Sequence, residues 1–545
     1  MAEYSGSTLT VRMADTRENQ PTHYVIGSGP AGVACAKALL AQGVRVAMLD
    51  AGVQLEPEKA ELVREMAARD PAHWTAHERT AIKSGLVAGV KGIGQKLQFN
   101  SDFPYRETDQ KIPWRSAGTG LFTSLALGGL SNVWGAAMLP HRDEDIGEWP
   151  VKNAELAPHY RAVAGFTEVT AQSDGLDDWF PIYQDRPQGL RPGAQAAALL
   201  RNLDRHRDKL RSAGWRFGRS RIAVRAQDST RGRGCTYCRE CMGGCVYGCI
   251  YNSAGTVQEM LADKKFSYHG DVIVRRVREQ GEMIIVEGVD RQTDAAMAFE
   301  GARAYLATGV VPTAQIMLRS QSAYDRPLVL RDSQYFMLPL LTARRTPDVQ
   351  KEEIFTLSQI FLEICRPQVS DHTVHLQLYT HSDIIGAAVR QSLGPAKFLA
   401  PALDGRLIII QGFLHSRESR TITMTLKRDG ENDFLQLEPQ PNPATRPAVK
   451  RVVGELLKRS RTLGGMVLPP LLQIMEPGRS FHSGGSLPMR TQPGDFECDL
   501  MGRPHGWSRL HIVDASVLPS IPATTITYSV MANAHRIGTE TAALK

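Results

Sequence analysis

The sequence lacks any apolar run of the length that a membrane-spanning helix requires. No uninterrupted apolar stretch reaches the ~18 residues needed to cross a bilayer. The N-terminal segment contains Asp15 and Glu18 and no apolar core, unlike a secretory signal. We therefore expect a cytoplasmic protein without a transmembrane segment, in which residues 1–20 form a flexible tail.

Clustered charge of one sign is also missing. The 64 basic and 57 acidic residues give a net charge of +7, which is small for a chain of 545 residues. The arginines are scattered, apart from short clusters such as Arg344-Arg345. This pattern indicates a solvated surface and excludes nucleic acid as the expected partner. The length favours two domains, or one large domain with insertions.

Cysteine is scarce, and its distribution is uneven. Of the 8 cysteines, only Cys35, Cys365 and Cys498 lie outside residues 235–249. Such clustering is not expected of a disulfide framework spread over a secreted fold.

Residues 22–52 carry a nucleotide-binding pattern, in which an apolar strand, a glycine-rich turn and a helix precede a second strand that ends in an acid. Gly27 permits the tight turn, Gly29 lets the backbone approach a pyrophosphate, and Gly32 lets helix and strand pack closely. The helix N-terminus offers free N–H groups and a partial positive charge to phosphates. A glycine loop that merely packs tightly is the alternative. The pattern predicts dinucleotide binding through Gly27, Gly29, Pro30, Ala31, Gly32, Asp50 and Ala51.

The predicted strands indicate an α/β fold with a discontinuous, Rossmann-like domain. After a meander over residues 270–297, an apolar strand ends in Thr308-Gly309, as in the closing strand of a flavin-type domain. β-branched segments then predict one antiparallel sheet, at 355–364, 374–379, 407–414 and 421–426. The expected parts are a dinucleotide-binding domain made of 21–324 and 470–545, and a substrate-binding domain over 325–469.

Several further motifs carry a resemblance to a known family. Gly128 to Gly135 looks like a flavin-facing loop, and Trp149-Pro150 with Tyr160 resembles the segment that follows it. The segments around His482 and Asp514 match a C-terminal pattern. Together with the glycine turn, these motifs resemble the glucose–methanol–choline (GMC) oxidoreductases over nearly the whole chain, in a bacterial branch with a Cys-rich loop.

The resemblance implies an FAD-dependent enzyme that oxidises an alcohol or sugar-like hydroxyl to a carbonyl by hydride transfer to flavin N5. It assigns the catalytic base to His482, because a histidine of near-neutral pKa suits removal of a hydroxyl proton. It places the remaining flavin contacts at Gly129, Ser131, Asn132, Val133, Thr308, Gly309, Asp514 and Ala515.

Two departures from the family pattern are visible. Some relatives carry a histidine at the position of Val133 that links covalently to the flavin, so we expect FAD to be bound noncovalently here. Relatives also place a second His or Asn before the last helix, and that position falls near Ile521. The isoleucine side chain can neither donate nor accept a hydrogen bond. The replacement is left open among Ser520, Thr524, Thr525 and Asn533.

The cysteine cluster has the spacing of a ferredoxin-type ligand run. Cys235, Cys238, Cys241 and Cys245 follow it, although Val246 stands where a proline is usual. An iron–sulfur cluster, a structural thiol loop and, less favourably, a zinc site all remain open. A cluster would favour a dehydrogenase that passes electrons to an acceptor protein over an oxidase.

Two other functions stay open at this stage. A flavin-dependent reductase or isomerase on the same fold is favoured if Ile521 leaves the alcohol site incomplete. A flavin and iron–sulfur electron-transfer subunit is favoured if the cysteines bind a cluster. No motif identifies the substrate.

Overall fold

The structure, a computed structural model, describes residues 10–11, 22–83 and 96–544. One sheet of five parallel strands forms the centre of the nucleotide-binding half. Its strands, in spatial order, are Leu510–Ile512, Arg303–Leu306, His23–Ile26, Val46–Leu49 and Phe266–His269. The α/β class and the discontinuous Rossmann-like arrangement are therefore confirmed, because the C-terminal strand pairs with Arg303–Leu306 in the sheet that also contains the N-terminal strands His23–Ile26 and Val46–Leu49.

Three helices pack against one another beside this sheet: Pro30–Ala41, Asn153–Thr167 and Thr527–Thr541. A Cβ at Gly538 would lie 2.8 Å from the carbonyl oxygen of Cys35, so the crossing of the first and last helices needs a glycine there. From the sequence alone, residues 152–163 are predicted to be helical, and the structure has a helix over Asn153–Thr167.

The predicted meander forms a sheet of its own, with strands Val272–Gln280, Met283–Asp290 and Ala296–Gly301. Thr10–Val11 pairs in parallel with its edge. The rest of the predicted 1–20 tail lies outside the described residues.

The predicted substrate half contains two sheets, and the expectation of a single sheet is wrong. The larger, seven-stranded sheet consists of Trp215–Arg219, Tyr335–Thr342, Ile360–Arg366, Ser370–Tyr379, Leu407–Phe413, Gly465–Val467 and Gln473–Ile474. The smaller, five-stranded sheet consists of Trp114–Ser116, Pro327–Asp332, Thr421–Asp429, Asn432–Gln440 and Ser483–Gly484. Thr421–Asp429 pairs with the next strand, Asn432–Gln440, and with the distant Pro327–Asp332 rather than with Leu407–Phe413. Local strand patterns carry no information about the distant partner.

The remaining helices connect these layers. They are Pro57–Ala67, Ala76–Ile82, Thr108–Lys111, Ala194–Asp204, Arg207–Ser212, Ser253–Met260, Val310–Ser320, Asp383–Leu393, Ala400–Asp404, Thr445–Lys458 and Ser460–Leu463. Residues 439–447, which their proline content predicts to be a connection, are partly regular: Pro439 lies in a strand and Pro447 in the first turn of a helix. A proline in a first turn costs no intrahelical hydrogen bond.

Apolar side chains form one core around the parallel sheet and a second between the seven-stranded sheet and its helices. Across the described ranges, we find no helix with the length and apolar character that a membrane crossing demands.

Candidate functional site

The glycine turn joins the strand His23–Ile26 to the helix Pro30–Ala41, and the protein's own packing requires two of its glycines. Gly27 has a φ of +101°, and a Cβ there would lie 2.6 Å from the carbonyl oxygen of Ala307. A Cβ on Gly32 would lie 1.9 Å from the carbonyl oxygen of Gly27. These two positions would therefore need glycine with or without a ligand.

Gly29 is different, because a Cβ added there would meet no protein atom within 4 Å. Its φ of −66° is accessible to any residue. The helix that it caps has no acidic residue in its first turn, so the positive potential of its N-terminus is not neutralised from within the helix. Protein packing does not explain glycine at this position, whereas a ligand that approaches the backbone does.

These residues form part of a cavity of about 280 Å³, here called the nucleotide cleft. It lies at the carboxyl ends of the parallel strands, which is where open α/β sheets bind their ligands. Of the residues predicted to bind the cofactor, the cleft is lined by Gly27, Gly29, Pro30, Ala31, Asp50, Ala51, Gly129, Thr308, Gly309, Asp514 and Ala515.

Asp50 ties the glycine turn to the neighbouring strands. Its carboxylate accepts hydrogen bonds from the Ser28 backbone N–H at 3.1 Å, the Ser28 hydroxyl at 2.7 Å and the Tyr268 hydroxyl at 3.1 Å. Burial raises the pKa of Asp50 to about 6. Asp50 lines the cleft as well, and its contact with a ribose stays a prediction.

Asp514 joins the C-terminal strand to the helix Val310–Ser320. Its carboxylate accepts from the Gly309 N–H at 3.0 Å, the Thr313 hydroxyl at 2.5 Å and the Ser516 N–H at 2.9 Å. Burial raises its pKa. This network fixes the part of the cleft wall at Thr308-Gly309, next to the glycine turn.

The loop predicted to face the flavin lies against the glycine turn, since a Cβ on Gly129 would be 3.4 Å from Cα of Gly29. Ser131 and Val133 line a second cavity rather than the nucleotide cleft. Asn132 lies on the wall of neither cavity, and its amide donates to the carbonyl oxygens of Leu127 and Gly129. Asn132 therefore shapes the loop, and its flavin contact stays a prediction.

The second cavity, of about 260 Å³, is here called the substrate cavity. It lies between the flavin-facing loop and the seven-stranded sheet, and it contains His482. It shares wall residues with the nucleotide cleft, namely Pro30, Leu130, Phe481 and Thr527. The two cavities therefore adjoin, as a cofactor site and a substrate site must.

His482 has a buried ring nitrogen, Nδ1, without a hydrogen-bond partner in the described protein. Its ring packs against Phe413, with centroids 4.8 Å apart. Burial, together with the neighbouring His375 and His141, lowers the pKa of His482 to about 3. This pKa lies below the near-neutral value expected from the sequence, because the apolar wall desolvates the imidazolium. The imidazole is neutral, which is the form that accepts a proton.

A buried carboxylate holds the turn that carries His482. Asp332 accepts from the hydroxyls of Ser480 at 2.6 Å and Ser483 at 2.8 Å, and from the Gly478 N–H at 2.9 Å. The Ser480 hydroxyl in turn accepts from the His482 N–H at 2.9 Å. Burial raises the pKa of Asp332 to about 6. No sequence motif indicates this positioning residue, because Asp332 lies 150 positions before the histidine.

Ile521 does not occupy the place expected for a second catalytic residue. Its side chain is fully buried and faces Gly484, away from the cavity walls. Of the four candidates for that role, Thr525 alone lines the substrate cavity as the structure describes it. The others have partners elsewhere: Ser520 accepts from Trp149, Thr524 contacts His141 and Asn533 contacts Arg536.

All five clustered cysteines line one small pocket, here called the cysteine pocket: Cys235, Cys238, Cys241, Cys245 and Cys249. Backbone N–H groups of Cys249 and Thr356 donate to the sulfurs of Cys245 at 3.2 Å and Cys241 at 3.4 Å. The wall residue Leu357 belongs to both this pocket and the substrate cavity.

The thiols have divergent acidities. Burial raises the pKa of Cys235 and of Cys238 to about 12. A hydrogen bond from the Cys249 side chain lowers the pKa of Cys245 to about 6. Among residues 22–83 and 96–544, no three His, Cys, Asp or Glu side chains are grouped so as to hold a single metal ion.

Sequence reasoning missed several polar residues of the substrate cavity. Lys96 lines it and interacts electrostatically with Cys241 and Cys245, and burial lowers its pKa to about 8. Gln377 and Tyr379 line it from the strand Ser370–Tyr379. The alternation of polar and apolar residues in that strand was the available signal.

The fold brings two adjoining cavities together, and comparison with known proteins identifies a family for the C-terminal part of the chain. Residues 472–534 match the family model described as GMC oxidoreductase. The chain thus carries the C-terminal domain of the GMC oxidoreductases, and the resemblance inferred from the motifs is confirmed.

Two relatives extend along nearly the whole chain. One is 6'''-hydroxyparomomycin C oxidase of Streptomyces lividus, which is 23% identical over 94% of this chain and 89% of its own length. The other is the crystal structure of pyridoxine 4-oxidase from Mesorbium loti, which matches with a TM-score of 0.59 and 15% identity over 95% of this chain and 98% of that one. The structural match shows the shared fold.

Proposed function

We propose that this protein is an FAD-dependent oxidoreductase that oxidises an alcohol or sugar-like hydroxyl to a carbonyl. The observation that carries the proposal is the unpartnered Nδ1 of the neutral His482, in a cavity that adjoins the nucleotide cleft. The name of the Streptomyces lividus relative, which refers to oxidation of a hydroxy compound, supports this class of reaction.

The residues of the cleft fit FAD. The open space beside Gly29 and the helix N-terminus at Pro30 suit the pyrophosphate, while Gly129, Gly309 and Asp514 suit the remainder of the cofactor. FAD, when bound, supplies the acceptor for the hydride. Val133 offers no histidyl link, so FAD should be released from the denatured polypeptide.

His482 takes the hydroxyl proton in this proposal, and Asp332 holds its turn in place. Thr525 lines the same cavity and can hydrogen-bond the substrate oxygen. Thr525, whose hydroxyl oxygen also accepts from the Leu139 N–H at 3.2 Å, offers a polar group in the cavity although Ile521 does not, and this supports alcohol oxidation over a reductase or isomerase.

Anaerobic reduction of the bound flavin by a primary alcohol tests the proposal. His482→Ala should slow flavin reduction by roughly 10²–10⁴-fold while FAD content stays unchanged, because only the base is lost. His505→Ala, at an exposed histidine outside both cavities, is the control. Near-normal reduction by His482→Ala would remove His482 from the mechanism.

We infer in addition that the cysteine pocket binds an iron–sulfur cluster and that the enzyme is a dehydrogenase with an electron-acceptor protein. The supporting observations are the five thiols around one pocket, the N–H groups directed at two sulfurs and the wall shared with the substrate cavity. Both relatives are named oxidases, so the electron acceptor must be measured. Iron and acid-labile sulfide should be found in anaerobically prepared protein, and flavin without iron would contradict the proposal.

A further inference from the structure

The seven-stranded sheet turns a polar face towards the substrate cavity, and its inner strand Ser370–Tyr379 supplies two of the polar residues on that face, beside Tyr335 and Gln411 from other strands. Successive residues of a strand point to opposite faces. Val374, Leu376 and Leu378 accordingly enter the apolar core behind the sheet. His375, Gln377 and Tyr379 share the opposite face, and the last two line the substrate cavity.

These three residues and Glu363 form a continuous hydrogen-bonded row. Glu363 lies directly across from His375 on the next strand, and its carboxylate is 2.6 Å from the histidine Nδ1. The histidine Nε2 is 3.1 Å from Nε2 of Gln377. The Tyr379 hydroxyl donates to Oε1 of Gln377 at 3.1 Å. The row thus runs from a fully buried carboxylate to the cavity wall.

With Glu363 ionised and the Gln377 amide oriented as in the structure, the hydrogens of this row have consistent positions. A carboxylate only accepts, so Nδ1 of His375 carries the proton and Nε2 is left to accept from the Gln377 amide. Gln377 keeps a second amide hydrogen that the row does not use. The Tyr379 hydroxyl has donated its hydrogen to Gln377, so its oxygen can only accept from the cavity.

We propose that Gln377 and Tyr379 form a subsite for a second hydroxyl of the substrate, beside the hydroxyl that is oxidised. Glu363 and His375 are positioning residues that hold this subsite in one donor–acceptor orientation. The inference rests on the proposed function and narrows it to polyhydroxylated substrates. A hydroxyl both donates and accepts, so it matches one amide N–H beside one phenolic oxygen.

Two probes that share a ring and a reacting primary alcohol test the subsite. Methyl β-D-glucopyranoside has ring hydroxyls, and tetrahydropyran-2-methanol lacks them. Calorimetric titration of the anaerobic holoenzyme should show the glucoside binding about tenfold more tightly, the effect of one or two neutral hydrogen bonds. Tyr379→Phe and Gln377→Leu should each remove most of this preference.

The positioning role has a separate test. His375→Phe should weaken the preference although both subsite residues remain, because the Gln377 amide is then free to rotate. Asp371→Asn, at an exposed position of the same strand, is the matched control and should keep the preference. Melting temperatures identify any variant that fails to fold. Tyr379→Phe removes only the hydroxyl, so it still tests the subsite if another variant does not fold.

The outcomes separate this inference from the function on which it rests. Equal binding of the two probes by the wild type, or an undiminished preference in Tyr379→Phe and Gln377→Leu, would overturn the subsite. Failure of both probes to reduce the flavin, with the binding preference intact, would instead count against alcohol oxidation.

Discussion

At the scale of single residues, the three glycines of the nucleotide turn have different reasons to be glycine. Gly27 and Gly32 are fixed by backbone contacts within the protein, and Gly29 faces open space in the cleft. The motif alone predicts all three in the same way. Of these three positions, Gly29 is therefore the one whose glycine is explained by a ligand rather than by the packing of the folded chain.

A substitution at Gly29 separates these two reasons. Gly29→Val should leave the melting temperature of the cofactor-free protein nearly unchanged, because no protein atom is displaced, yet it should abolish retention of FAD. Flavin content and thermal unfolding check this expectation. Gly32→Val is the comparison, since it should impair folding itself. Normal flavin content in Gly29→Val would mean that the cleft binds nothing at this turn.

The pH dependence of activity should follow Asp332 rather than His482. The pKa of His482, lowered to about 3, keeps the imidazole neutral at every working pH. The pKa of Asp332, raised to about 6, means that its carboxylate takes up a proton as the pH falls through 6 and loses acceptor capacity for the histidine turn. Anaerobic flavin reduction should therefore slow below about pH 6.

Asp332→Asn is the variant that tests this assignment. It should be slow and should show no inflection near pH 6, since its amide does not titrate. If the pH profile of flavin reduction in Asp332→Asn kept the inflection near pH 6, the loss of rate at low pH would belong to another group.

At the scale of elements, the cysteine loop is a unit that the sequence outlines well. The spacing of its thiols led to the expectation of a shared site, and all five side chains do line one pocket. The assignment of strands to sheets, in contrast, is not predicted by the sequence. Strand segments at 374–379, 407–414 and 421–426 were recognised from β-branched content, but the last belongs to a different sheet because pairing partners are set by distant residues.

Loss of one central thiol tests the loop as a cluster site. Cys241→Ser should lose iron and sulfide, and should slow the reaction of reduced flavin with a one-electron acceptor more than substrate oxidation itself. Cys365→Ser lies outside the pocket and is the control. Equal iron content in the two variants would contradict the cluster site and would indicate that the cysteines form a structural loop.

At the scale of the whole molecule, the nucleotide-binding sheet depends on both ends of the chain. The strand Leu510–Ile512 pairs with Arg303–Leu306, and the helix Thr527–Thr541 packs on Pro30–Ala41. The sequence predicted this discontinuity from the C-terminal strand signal. It did not predict that Trp215–Arg219 joins the seven-stranded sheet, because a five-residue strand has no local sign of its partner. The predicted division of domains at 324 and 469 remains an interpretation.

Removal of the C-terminal elements should therefore disable the nucleotide cleft. A chain that ends at residue 505 lacks an edge strand, Asp514 and the last helix, so it should retain no FAD and should lose its cooperative unfolding transition. Flavin absorbance and thermal unfolding measure both effects against the full chain. Normal flavin content in the shortened chain would show that the N-terminal portion folds alone.

The pairing of Leu510–Ile512 with Arg303–Leu306 also has a consequence for synthesis on the ribosome. Translation runs from the N-terminus, so the glycine turn emerges hundreds of residues before the strand and the aspartate that complete the wall of its cleft. The growing polypeptide must hold an unfinished sheet edge until its last segment is released, a state that exposes unpaired backbone groups. The cleft is therefore complete only after the last segment of the chain has been synthesised.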